Sequence, residues 1–244
     1  RSSGSHCQQH GASYIQPYVD SSRWSIDPYR NNETRGAIMA RLIFVLGNPG
    51  TGKSTSLRNL KKDEVSYITV TGKELPFRTD IKPVPVKTMT DVKEMVKASK
   101  KPIVVIDDVN YLFTKEVFGA SEKDDKWDVY DKISKEFYQI VQTILNKDTE
   151  QNFYLFGHLE DPDSKMNLKQ LKTLGQATRK NNNPEGWTNI VFESLVDDTD
   201  EFVFRVKTDG KGVKSPMDMF NESEVTNDLK IVNEAINKYY KGGK

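Results

Sequence analysis

Gly47, Gly52, Lys53 and Ser54 stand at the spacing G-x-x-x-x-G-K-[ST], within GNPGTGKST over residues 47–55. Residues of these types in this order make a phosphate cradle. Gly47, Gly50 and Gly52 let the backbone curl until its N–H groups point inward, while Asn48, Pro49 and Thr51 fill the turn. Lys53 brings a point charge to the β and γ phosphates. The Ser54 hydroxyl, followed by Thr55, is a Mg²⁺ ligand. The ligand this chemistry expects is ATP with Mg²⁺.

A cation held by Ser54 needs a carboxylate partner. KKPIVVIDDVNYLF, residues 100–113, ends an apolar run at Asp107, which suits a strand-end ligand reaching Mg²⁺ through water. The reading places this strand beside the phosphate-loop strand. Asp108 follows, where many ATPases with such a loop carry a Glu that polarises the attacking water. Being one methylene shorter, Asp108 can act as that base or steady the cation from behind. Glu74, in TVTGKELP, is a rival base. QNFYLFGHLE, residues 151–160, is a further apolar run that ends at His158. A polar residue there can sense the γ-phosphate, and a strand-end histidine can equally be structural.

These groups need elements to hold them. RLIFVL, 41–46, reads as a buried strand. STSLRNLKK reads as a helix over 53–61 with its N-terminus toward the phosphates. A strand over 66–71 leads to a Pro-rich connection at Pro76, Pro83 and Pro85. A helix over 90–99 is capped by Thr90, and a strand follows at 103–107. Tyr130, Ile133, Phe137, Ile140, Val141, Ile144 and Leu145 form a helical stripe within 127–147. The stripe reads as core packing. After a strand at 153–157, WTNIVFESLVDD and EFVFRVKTDG flank the turn DDTDE as an antiparallel hairpin. Val225, Leu229, Val232, Ile236 and Tyr239 mark a closing amphipathic helix over 223–240. The acidic segment SEKDDKWD, 121–128, reads as a solvated loop rather than a metal site. Strands alternating with helices predict an α/β class with a mostly parallel sheet.

The chain has 244 residues and a net charge of +1, so no global basic field advertises nucleic acid. No apolar run approaches the ~20 residues that span a bilayer, and no membrane role is expected. The single cysteine, Cys7, cannot pair internally, which suggests a reducing cytoplasm. Residues 1–38 carry no helical or strand period and begin RSSGSH. They read as a vector-derived leader before Met39 or, alternatively, as a native arm that docks on a neighbour. Residues 39–244 read as one ATPase domain.

GNPGTGKS, VVIDD, the strand ending in Gly157-His158, TLG at 173–175 and RVKTDGKGVKSPMDMF at 205–220 together resemble a known group. It is that of phage RecA-like ATPases of the single-strand annealing recombinase type, often described simply as phage nucleotide-binding proteins. The resemblance spans about residues 40–220. It implies a RecA-like fold, ATP hydrolysis, single-stranded DNA as partner, and a ring or filament of identical subunits in an infected bacterial cytoplasm. It also implies that Lys207, Lys211 or Lys214 reaches the γ-phosphate of a neighbouring subunit's ATP, unless this is a solvated basic loop. DNA contact falls to DSKMNLKQLKTLGQATRKNNNPEG, 163–186, with Lys169, Lys172, Arg179 and Lys180, against the plainer reading of surface lysines. Near-neutrality and the Asp107-Asp108 pair depart from the group's pattern. Two rivals stand beside it: a small-molecule or nucleotide kinase, and a non-hydrolysing nucleotide-binding accessory protein.

Overall fold

Successive strand side chains point to opposite faces. Leu42, Phe44 and Leu46 therefore face one way and Ile43 and Val45 the other, and all five are buried. A strand apolar on both faces belongs inside a parallel sheet. The structure is a computed structural model, and it describes residues 39–121, 125–160, 168–174, 178 and 183–242. Eight strands form one sheet: β1 Arg41–Leu46, β2 Val65–Thr69, β3 Val84–Pro85, β4 Ile103–Asp107, β5 Asn152–Gly157, β6 Val191–Val196, β7 Phe202–Arg205 and β8 Glu224–Thr226. Their order is β3-β2-β4-β5-β1-β6-β7-β8. Strands β3 through β6 in that order run parallel, while β7 and β8 add antiparallel.

Among the described residues, four helices accompany the sheet: α1 Met89–Ala98, α2 Asn110–Gly119, α3 Lys126–Leu145 and α4 Leu229–Gly242. Leu42, Phe44, Val104, Ile106, Phe153 and Leu155 share one core with residues of α1, α2 and α3. Ile43, Val45, Ile103, Val105, Tyr154 and Phe156 share the other with Leu57 and α4. The stripe on α3 buries Ile133, Phe137, Ile140, Val141 and Ile144, a gross gain on the order of 10 kcal/mol. A helix cap contributes about 1 kcal/mol, so packing decides where these helices lie and caps decide where they start.

The structure corrects several boundaries. The segment after the phosphate loop is no helix over 53–61 but a single 3₁₀ turn, Ser54–Leu57. Hydroxyl side chains compete with the helical ladder there: Ser56 Oγ donates to the Lys53 carbonyl at 2.6 Å. Arg58 and Asn59 are then drawn to Asn227 and Asp228 just ahead of α4. The cap of α1 is Thr88, not Thr90. Thr88 Oγ1 accepts from Asp91 N while Asp91 accepts from the Thr88 N–H, a reciprocal capping box. Thr88→Ala should therefore cost about 1 kcal/mol of stability in chemical denaturation, and the exposed Thr90→Ala almost nothing. Equal effects would contradict the cap.

The closing helix begins at Leu229 rather than 223. Glu224–Thr226 hydrogen-bonds to β7 as β8, and Asp228 Oδ1 accepts from Lys230 N at 2.9 Å to start the helix. α2, not foreseen, follows Asp107-Asp108 directly. In the Pro-rich connection, Pro85 occupies the sheet edge, the place where a missing N–H is tolerated. Within the acidic segment, Asp125 accepts from Trp127 N at 2.8 Å as the cap of α3, and residues 126–128 are helical. Residues 1–38, Arg179 and Lys180 lie outside the described residues. Among the described residues no helix is long and apolar enough to cross a membrane.

Candidate nucleotide site

β1 delivers the loop at its C-terminal end. Gly50 and Gly52 take φ values of +82° and +88°, a region that L side chains avoid. The loop is seated tightly on β6: Ser194 Oγ donates to the Thr51 carbonyl at 2.6 Å, and a Cβ at Gly47 would meet the Ser194 carbonyl at 2.4 Å. Lys53 folds back over the curl, donating to the carbonyls of Gly47 at 2.7 Å and Asn48 at 3.0 Å. It is 7 % exposed. Burial pushes its ammonium down to about 8, with Lys73 adding to the effect and Asp107 and Asp108 opposing it.

β5 lies between β1 and β4. The expected neighbour relation of the two phosphate-handling strands is thus corrected, because the third strand of the site is inserted between them. Asp107 nonetheless reaches the loop: Ser54 Oγ donates to its Oδ2 at 2.7 Å. Tyr67 Oη donates to the same oxygen at 2.9 Å, and burial keeps that phenol protonated as a donor. Asp107 Oδ1 is buried without a hydrogen-bond partner, and desolvation leads the effects that raise this carboxyl above its ordinary value. A buried carboxylate oxygen left unpaired beside a serine hydroxyl is the oxygen donor set of a hard divalent cation. The residues therefore fit Mg²⁺, with Ser54 and Asp107 to hold it. When bound, such a cation neutralises charge on phosphate oxygens.

Asp108 has φ +64°, a left-handed conformation that an aspartate tolerates better than most residues. The twist turns its carboxylate to Thr71 Oγ1 at 2.9 Å, to Lys73 Nζ at 3.6 Å and to His158 Nε2 at 3.6 Å. His158 sits at the end of the inserted strand. Its N–H donates to Asn110 Oδ1 at 3.2 Å and its ring stands edge-on to Tyr111. Burial first, then the charge of Lys53, lowers its ordinary value of 6.5, so it is neutral near pH 7. A neutral imidazole here can pass a hydrogen bond between Asp108 and a phosphate or water. Loop, carboxylates and imidazole line one cleft of about 430 Å³, together with Lys73, Glu74 and Phe202. Both candidate bases, Asp108 and Glu74, reach it.

The expected trans-acting lysines do not line this cleft. Lys207 Nζ donates to the Asn221 carbonyl at 2.7 Å. Lys211 lies in a turn and accepts, through its carbonyl, a bond from Lys169 N. Lys214 pairs its backbone with Val191. Lys169 Nζ is ion-paired at 2.5 Å with Glu193, a buried β6 residue that also holds Arg205. Lys172 N donates to the His158 carbonyl at 2.7 Å. Tyr67, Thr71, Lys73, Ser194 and Phe202 escaped sequence reasoning. Tyr67 and Ser194 look like ordinary strand residues, and only the Thr71-Gly72-Lys73 turn beside Glu74 carried a usable signal.

A loop of this geometry at the end of a central parallel strand, facing a buried carboxylate across an inserted strand, defines a P-loop nucleotide-binding ATPase domain. The model of the ATPase family associated with various cellular activities (AAA) matches residues 43–178, more than half of the chain, and the chain belongs to that family. The match begins within β1, takes in the loop, β4 and β5 and ends before β6. No curated protein matches the chain.

Proposed function

We propose that this ATPase hydrolyses MgATP to drive the handling of single-stranded DNA, as a phage recombination or replication protein of the RecA-like annealing type that works as a homo-oligomer. Gly47–Thr55 and Asp107 bind the nucleotide, Asp108 or Glu74 serves as base, and His158 reads the γ-phosphate.

The observation that supports the DNA-linked part is a chain of contacts. Lys172 N bonds the His158 carbonyl, Lys169 N bonds the Lys211 carbonyl, and Lys169 Nζ pairs with Glu193. Glu193 is in register with Leu46, the last residue before the phosphate loop. Among the described residues, Lys169 and Lys172 of the basic segment thus link the Lys-rich tail, at Lys211, to the end of β5 and to β6 beside the phosphate loop. Events at the γ-phosphate have a short mechanical route to these lysines. In an assembly, exposed Lys207 and Lys211 are the tail cations best able to meet a neighbour.

The test is phosphate release from MgATP with and without single-stranded DNA, accompanied by light scattering. A rate that rises severalfold with DNA, in an ATP-dependent oligomer, is the expected result. Turnover indifferent to DNA would leave an ATPase with another partner. A monomer in the presence of both ligands would remove the trans-acting role.

A further inference from the structure

The cleft holds a cation that neither the loop nor the oligomer supplies. Strand β2 ends at Thr69, and the chain reverses through Thr71-Gly72-Lys73 with Gly72 at φ +73°. Gly72 N donates to Thr69 Oγ1 at 3.2 Å and Thr71 Oγ1 donates to Asp108 at 2.9 Å, so the turn is fastened at both sides. Lys73 emerges from it into the cleft that also contains Lys53. Its Nζ stands 3.6 Å from Asp108 Oδ2, outside hydrogen-bond range, and 5.9 Å from the Tyr111 ring centre. The side chain is 69 % exposed and its partner carboxylate 11 %. It is thus a loosely held ammonium beside Asp108, in the cleft that a phosphate chain seated on Lys53 would enter.

We propose that Lys73 is a catalytic cation acting within its own chain: it leaves Asp108 to grip the terminal phosphate of bound ATP. The proposal rests on the ATPase reading. In the hydrolytic step a water oxygen bonds to the γ-phosphorus and the bond to the β–γ bridging oxygen breaks. That oxygen keeps the electron pair and departs with ADP, and the water's proton passes to the base of the proposed hydrolysis, Asp108 or Glu74. Lys73 exchanges no proton. Its charge stabilises the γ-phosphoryl oxygens, which are present in ATP and absent in ADP.

The partner exchange is driven by charge. Lys53, Lys73, Asp107 and Asp108 form a set of two cations and two anions, and a phosphate added to that set competes with Asp108 for the more exposed ammonium. The fixed turn keeps Lys73 within reach, and Tyr111 offers a ring face beside its path.

The experiment compares equilibrium binding of a fluorescent non-hydrolysable ATP analogue and of fluorescent ADP to wild type, Lys73→Met and Lys73→Arg, alongside turnover. Lys73→Met should weaken the analogue about tenfold and leave ADP within about twofold. It should also lower kcat about 100-fold, and Lys73→Arg should restore most of both. An analogue-to-ADP affinity ratio unchanged in Lys73→Met overturns the proposal. If wild type binds neither nucleotide, the ATPase reading itself fails instead. Mixing Lys73→Met with Lys53→Met chains separates cis from trans action. A cis cation leaves the mixture inactive, and recovered turnover overturns the assignment.

Discussion

Lys53→Met is expected to lower MgATP hydrolysis at least about 100-fold, with nucleotide affinity down at least about tenfold, while the protein stays folded. The side chain is buried, and among the described residues its ammonium bonds only to carbonyls of its own loop, Gly47 and Asn48. Among the described residues it ties down no other element. Burial already disfavours the charged form, so replacing the ammonium by a thioether relieves a desolvation cost and forfeits two hydrogen bonds. These nearly offset, and the unfolding midpoint should move by no more than ~1 kcal/mol equivalent. Phosphate release and a thermal melt on one preparation check both halves. Retention of a tenth of the wild-type rate would mean that the phosphate sits elsewhere.

Asp107→Asn separates stability from activity more sharply. The wild-type carboxylate is 4 % exposed, and one oxygen has no hydrogen-bond partner. A buried carboxylate with one oxygen unpaired is costly in the unliganded protein and useful once a cation arrives. The neutral amide keeps the acceptor that Ser54 and Tyr67 use. The ligand-free variant should therefore be more stable, by on the order of 1 kcal/mol, and its turnover should fall at least about 100-fold. Calorimetry without nucleotide, followed by an ATPase assay, tests the pair of effects. A variant that loses stability as well as activity would show that Asp107 is a structural link between β4 and the loop rather than a cation ligand.

The parts of this architecture legible in the sequence are those written locally. β1 and β4 match the expected 41–46 and 103–107, and β5 differs by one residue, because a short run apolar on both faces has few other places to go. The loop glycines and Lys53 announce themselves by spacing. What was not legible depends on neighbours that meet only in the fold. Nothing in IVVID or NFYLFG states which of the two strands adjoins β1. The 3₁₀ turn at Ser54–Leu57 depends on Asn227 and Asp228 some 170 residues away, which claim Arg58 and Asn59. Tyr67 becomes part of the site only because β2 pairs with β4 in the register Thr69↔Asp107, which puts Tyr67 below the carboxylate it supports. Lys73, beside Glu74, is a lysine in a turn, a type and place that are usually solvent-facing. Position, not type, makes it notable.

The insertion of β5 has a mechanical meaning. Two inter-strand spacings, about 10 Å together, separate the strand that carries the phosphate loop from the strand that carries Asp107. Both are laced to β5 along their lengths. The middle strand works as a shim between the jaws of a vice: it fixes the gap and forbids closure by sliding. Its last residue, Gly157, packs closely against Leu171, whose Cδ1 lies 2.2 Å from where a Cβ would stand. On the proposed reading, nucleotide arrival is registered by side chains swinging over that floor of strands, with Ser54, Lys73 and His158 as the moving parts.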